Sequence, residues 1–207
     1  MERVAAGDLI AYPTETCWGL GADAGSERAL GKLRDFKGRD AWKPLSLLVS
    51  GPEQLAGLGA SLSPLGRRLA EAFWPGPLTL VMICTAPLAD AVGREDGAVG
   101  FRCSSHPVAR GLALLAERRG VGPLTATSLN HTGRPAARTR AEARALCTSG
   151  HEAPALVEGL RGGDLLECEL PGVAESSVVD LTGPVPLVLR TGAVGKGAIT
   201  AALEGGA

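Results

Sequence analysis

Short apolar runs alternate along the chain with stretches in which apolar positions recur at helical spacing. Leu9, Ile10, Ala11 and Tyr12 predict a buried strand that ends at Pro13, since proline cannot donate to a ladder. Ala29, Leu30, Leu33 and Phe36 fall on one face of a helix, and Ser26 stands where its N-cap belongs. Residues 45–49 predict a second strand. Pro52 and Pro64 suit the first turn of a helix, the latter behind a capping Ser63. Residues 78–84 and 98–102 predict two more strands, and a helix over about 107–118 starts at Ser105 or His106. Residues 124–127 predict a short strand that runs into the polar loop 128–135. Thr139 can cap a helix through Leu146, and residues 178–181 and 187–189 predict a closing strand pair.

Strands interleaved with helices indicate the α/β class, with a mixed rather than all-parallel sheet. The 207 residues show no internal repeat and no shift of composition, so a single domain over 1–207 is expected. A net charge of −1 argues against bulk electrostatic binding of nucleic acid, and 3% aromatics argue against a base-stacking surface. The five cysteines lack Cys-x-x-Cys spacing, so neither a disulfide framework nor a zinc site is indicated. The N-terminus has no basic region followed by an apolar stretch, and no apolar run is long enough for a bilayer. A soluble cytoplasmic protein, without membrane contact, is expected.

Two phosphate-binding motifs fail on their context. The Gly19–Ala24 segment matches G-x-G-x-x-A after a strand, but no second strand ends in an acidic residue at the required distance. The segment 190–197 resembles a P-loop, yet Arg190 takes the first glycine position and Gly197 stands where a magnesium-binding hydroxyl is needed. It reads as a flexible glycine turn. His106, His131 and His151 show no metal-ligand spacing, so no protein-held metal site is expected.

Four polar clusters stand at strand ends, where open α/β sheets place ligands. Tyr12 to Gly21 combines a rigid turn, the hydroxyls of Thr14 and Thr16, and two glycines. Lys37, Arg39 and Lys43 bring three cations together before a buried strand, as either a solvated loop or a phosphate clamp. Arg102 ends an apolar strand and requires a partner, either a structural carboxylate or a ligand's. Thr127, Ser128, Asn130 and Thr132 crowd hydrogen-bonding groups after another strand. Ser176 and Arg190 add a hydroxyl and a cation near the C-terminus. Such groups suit an anionic nucleotide together with a small zwitterion, and catalysis by positioning and charge stabilisation rather than through a covalent intermediate.

In their order and spacing these segments, with residues 73–82 and 178–181, resemble the YrdC-like family of L-threonylcarbamoyl-AMP synthases from about Gly7 to Gly192. The resemblance implies a twisted open mixed sheet around a basic ligand cavity. It implies a nucleotidyltransferase that converts L-threonine, bicarbonate or CO2, and ATP to threonylcarbamoyl-AMP and pyrophosphate, with Mg2+ accompanying ATP. A separate transferase complex then modifies tRNA, so direct tRNA binding is expected to be weak or indirect. By the same resemblance the K-x-R signature falls on Lys37 and Arg39 as catalytic phosphate ligands, and S-x-N falls on Ser128 and Asn130. Lys43 and Arg190 look like further ATP contacts, while Thr16, Arg102, Thr127 and Ser176 look like threonine contacts. The chain departs from the family pattern at Trp18, Asp40, Leu129 and Thr191, and it looks like the short, single-domain form. A non-catalytic RNA-binding module of the same type is the alternative.

Overall fold

Two sheets share the strands. In this computed structural model residues 1–38, 44–89, 92–148, 153–157, 159 and 174–205 are described. After a helical turn, α1 (Glu2–Ala5), come β1 (Ile10–Pro13), β2 (Trp18–Gly21), α2 (Glu27–Lys37), β3 (Ser46–Leu48), α3 (Pro64–Phe73), β4 (Leu78–Ile83) and β5 (Ala98–Arg102). Then follow α4 (Pro107–Arg118), β6 (Leu124–Thr125), β7 (Thr127–Ser128), α5 (Arg140–Thr148), β8 (Ala155–Leu156), β9 (Ser177–Asp180), β10 (Leu187–Arg190) and α6 (Lys196–Glu204). One sheet runs β7-β2-β1-β8 and the other β10-β9-β4-β5-β3-β6, each with parallel and antiparallel pairs. This is the mixed α/β architecture that the alternation of elements predicts, open and not closed into a barrel.

Local chemistry sets the element ends. Ser26 caps α2 by accepting from the Ala29 N–H at 3.3 Å, and Gly38, at φ 64°, closes that helix directly after Lys37. Ser63 caps α3 behind Pro64. Thr139 and Glu142 form a reciprocal capping box, with Oγ1 accepting from the Glu142 N–H at 3.2 Å and Oε2 accepting from the Thr139 N–H at 2.9 Å. His106 Nδ1 accepts from the Val108 N–H at 3.2 Å, so His106 rather than Ser105 caps α4.

β1 is buried along its whole length because both its faces are covered. Ile10 and Tyr12 pack on Val108, Leu112 and Ala116 of α4, whereas Ala11 joins the larger core with Leu20, Leu30 and Leu33. In the longer sheet the two-residue period separates functions. Leu80, Met82, Val99 and Phe101 enter the core, while Thr79, Val81, Ala98, Gly100 and Arg102 line a cavity on the opposite face.

Several expected elements differ from those observed. Residues 124–127 form two strands broken at Ala126, whose N–H donates to the Ser46 carbonyl as the chain crosses from one sheet to the other. Pro52 opens only a single 3-10 turn, Pro52–Gln54. The glycine segment read as a flexible turn leads directly into α6, with Gly195 as its N-cap. β2 pairs with β1 in a hairpin whose second half lacks a strand-like sequence.

Candidate active site

The cavity of about 350 Å3 opens where the β1–β2 turn, β7, and the strand face of the longer sheet meet. Thr16, Arg102, Thr127, Ser128, Ser176 and Arg190, all singled out from the sequence, line it together. Gly100 keeps this face open, since a Cβ there would stand 2.7 Å from Ser46 Oγ and 3.1 Å from Thr79 Cγ2 and both side chains would have to give.

Arg102 is almost enclosed, with its side chain 11% exposed. Its Nη2 donates to Thr16 Oγ1 at 2.8 Å and to Glu15 Oε1 at 3.0 Å, so the partner that an arginine in this position requires is a carboxylate of the same chain. The Thr14 hydroxyl donates to the Cys17 carbonyl at 2.6 Å. Its oxygen accepts from the Thr16 and Cys17 N–H groups at 3.2 and 3.3 Å, and lies 3.2 Å from the Thr16 hydroxyl oxygen. Thr16 Oγ1 accepts from Arg102 Nη2, which leaves one lone pair of the hydroxyl for a ligand.

Across the cavity Arg190 donates from Nε to the Ser176 carbonyl at 3.0 Å, from Nη2 to Ser176 Oγ at 3.2 Å, and from Nη1 to Glu175 at 2.5 Å. Ser176 Oγ also lies 3.1 Å from Thr79 Oγ1, and this links β4 to the residue before β9. Gly192 allows that packing, since a Cβ there would lie 2.0 Å from the Glu175 carbonyl oxygen.

Lys37 and Asn130 reach the cavity wall through Ser128. The buried Lys37 Nζ donates to the Ser128 carbonyl and, at 2.6 Å, to Asn130 Oδ1, which also accepts from the Ser128 hydroxyl at 2.8 Å. The Asn130 amide in turn donates to the Arg134 carbonyl at 2.6 Å. Lys37, Ser128 and Asn130 are thus one hydrogen-bonded unit. Its lysine sits at the C-terminal end of α2, where the helix dipole favours a cation. Arg39 and Lys43 lie outside the described residues.

Sequence reasoning gave no role to Glu15, Thr79, Arg94 or Glu175. Thr79 carries a signal, being a hydroxyl inside an otherwise apolar strand. Arg94 lines the cavity, but its guanidinium is engaged by Asp180 and Asp96, each at 2.5 Å. Burial pushes the Asp180 carboxyl up, but the Thr182 hydroxyl and N–H and the Arg94 guanidinium outweigh it, so the net shift is below the usual carboxylate range. Among the described residues no group of three or more His, Cys, Asp or Glu could hold a metal ion, and no helix is long and apolar enough to cross a membrane.

Cys17 also lines the cavity, and burial pushes its thiol up, against the opposing pull of Arg102. Its thiolate fraction at neutral pH is therefore below that of an unperturbed cysteine. Iodoacetamide at pH 7.5 should label Cys17 more slowly than a free peptide thiol, and faster as the pH rises. Mass-spectrometric peptide mapping distinguishes it from Cys84 and Cys147, and rapid labelling at neutral pH would contradict its burial.

The Sua5/YciO/YrdC family model, described as telomere recombination, matches residues 2–192. A Mycobacterium tuberculosis relative is 37% identical over 191 residues, covering 92% of this chain and 81% of its own. A Pyrococcus abyssi relative named threonylcarbamoyl-AMP synthase is 35% identical over 200 residues, covering 92% of this chain and 53% of its own. The chain therefore spans about half the length of that relative. The structure of P. abyssi Sua5 complexed with L-threonine superposes with a TM-score of 0.76 at 33% identity, over 92% of this chain and 52% of that one. Escherichia coli YciO shares the fold, with a TM-score of 0.72 at 23% identity over 96% of this chain and 89% of its own. With the family model spanning nearly the whole chain, and the segments that carry the resemblance converging on one cavity, the chain belongs to the Sua5/YciO/YrdC family.

Proposed function

We propose that the chain catalyses formation of threonylcarbamoyl-AMP from L-threonine, bicarbonate or CO2, and MgATP, with release of pyrophosphate. The observation that carries this reading is Arg102 on the cavity wall, with the Thr16 hydroxyl fixed beside it. A guanidinium there can meet an amino acid's carboxylate, and Thr16 can accept from its ammonium or hydroxyl. The name of the P. abyssi relative and the threonine complex of P. abyssi Sua5 support the choice of amino acid. Ser176 and Thr127 line the same space and complete the threonine contacts in this reading.

The chemistry follows in two steps. The deprotonated threonine amine adds to bicarbonate, water leaves, and a carbamate anion results. A carbamate oxygen then attacks the α-phosphorus of ATP, the bond to the β-phosphate oxygen breaks, and pyrophosphate departs. An anion attacking an anion needs fixed positive charge, and in this reading Lys37, Arg39, Lys43 and Arg190 are the cations that supply it. Ser128 and Asn130 hold Lys37 and orient the nucleotide. Magnesium belongs to the MgATP substrate, bound largely through phosphate oxygens. The product would pass to a transferase complex that modifies tRNA.

Incubation with MgATP, bicarbonate and L-threonine should give a product with the mass of threonylcarbamoyl-AMP. AMP or ADP as the only nucleotide product would contradict the reading.

A further inference from the structure

We propose that Glu15 is a positioning residue, one that fixes the guanidinium of Arg102 for a carboxylate ligand without touching that ligand. The inference rests on the threonine site proposed above. Arg102 lines the cavity and Glu15 does not. Glu15 is held at both oxygens: Oε1 accepts from Arg102 Nη2 at 3.0 Å, and Oε2 accepts from the Ser104 hydroxyl. Ser104 Oγ in turn accepts from the His106 N–H at 3.2 Å, at the N-cap of α4. An unbroken chain of bonds thus ties the guanidinium to the first turn of a well-packed helix.

Both hydrogens of Nη2 are engaged, by Glu15 and by Thr16, which restrains the guanidinium plane, while Nε is buried without a partner. That leaves Nη1 as the terminal donor for a ligand. The Arg102 and Glu15 side chains are only 11% and 16% exposed, so the pair is little screened by water. Glu15 therefore also compensates a guanidinium that would otherwise be an isolated buried charge. A carboxylate behind an arginine weakens its pull on a second carboxylate, and fixed geometry is what offsets that loss.

The test measures KM for L-threonine, KM for ATP and kcat of pyrophosphate release in the full chain, with threonine binding by calorimetry alongside. Glu15→Ala should raise KM for threonine on the order of tenfold or more, with KM for ATP and kcat changed by less than about threefold. Glu15→Gln retains an acceptor for Nη2 and should recover most of that loss. Glu15→Asp keeps the charge but withdraws it by one methylene, and should raise KM for threonine several-fold even if the alanine variant fails to fold. Unchanged threonine KM in Glu15→Asp would overturn the proposal. Equal losses for threonine and ATP would overturn it too. Wild-type protein that binds no threonine would refute the underlying reading and the inference with it, a result separable from wild-type binding that is indifferent to Glu15.

Discussion

Arg102→Lys is expected to reduce threonine-dependent turnover by about a hundredfold or more, a loss borne by KM for threonine rather than by KM for ATP. The lysine keeps the charge opposite Glu15 but removes the planar fork, of which Nη2 bonds both Thr16 and Glu15. An ammonium can bond Thr16 and Glu15 but lacks Nη1, the second terminal donor that the guanidinium offers a carboxylate ligand. Arg102→Ala should be worse in a second way. It strands the Glu15 carboxylate, 16% exposed, in a buried setting, so stability should fall by about 3 kcal/mol or more in addition to the loss of turnover. Steady-state kinetics and thermal melts separate the two effects. Wild-type KM for threonine in the lysine variant would remove Arg102 from the threonine site.

The second large effect is expected at Lys37. Lys37→Met conserves length and burial but deletes the ammonium that joins Ser128 and Asn130. The Ser128 carbonyl then loses a charged donor, and the S-x-N loop loses its link to α2. Turnover should fall by about 10²- to 10³-fold, the range for removing one preorganised charge from a site of phosphoryl chemistry. Stability should fall by about 1–3 kcal/mol, because the acceptors left behind are partly buried. Asn130→Asp is the informative companion. It keeps an acceptor for Nζ while forfeiting the donor to the Arg134 carbonyl, and it should retain the fold with an intermediate rate. Wild-type kinetics in Lys37→Met would show that the K-x-R lysine has a structural role alone.

Much of this architecture is legible in the sequence because local rules and burial agree. α4 spans Pro107–Arg118, as its apolar spacing predicts, and β5 spans Ala98–Arg102 for the same reason. Both elements place one apolar face in the core. β2 was hidden because its sequence is Trp-Gly-Leu-Gly, and glycine is a poor strand former. Gly19 is there because the Tyr12 ring crosses that position, where a Cβ would lie 2.8 Å from its Cε2. Such a demand exists only after the hairpin has formed. The break at Ala126 is equally invisible, since a strand that changes sheets still reads as one apolar run.

The site divides along a similar line. Residue types at strand ends marked Thr16, Arg102, Ser128, Ser176 and Arg190, and the fold brings them to one cavity. The family resemblance makes Lys37 a phosphate ligand, but its bonds to Ser128 and Asn130, more than ninety positions away, appear only in three dimensions. Glu15 lies beside Thr16 in the Tyr12–Gly21 segment, and nothing in that segment alone gives it a role. What gives it a role is Arg102, 87 residues later.

The most direct test of the central claim is pyrophosphate release by the purified chain with MgATP and bicarbonate, with L-threonine present, omitted, or replaced by L-serine. The account predicts release that requires both bicarbonate and L-threonine and is slower with L-serine. Release that is indifferent to the amino acid, or none from folded protein that binds ATP, would contradict it.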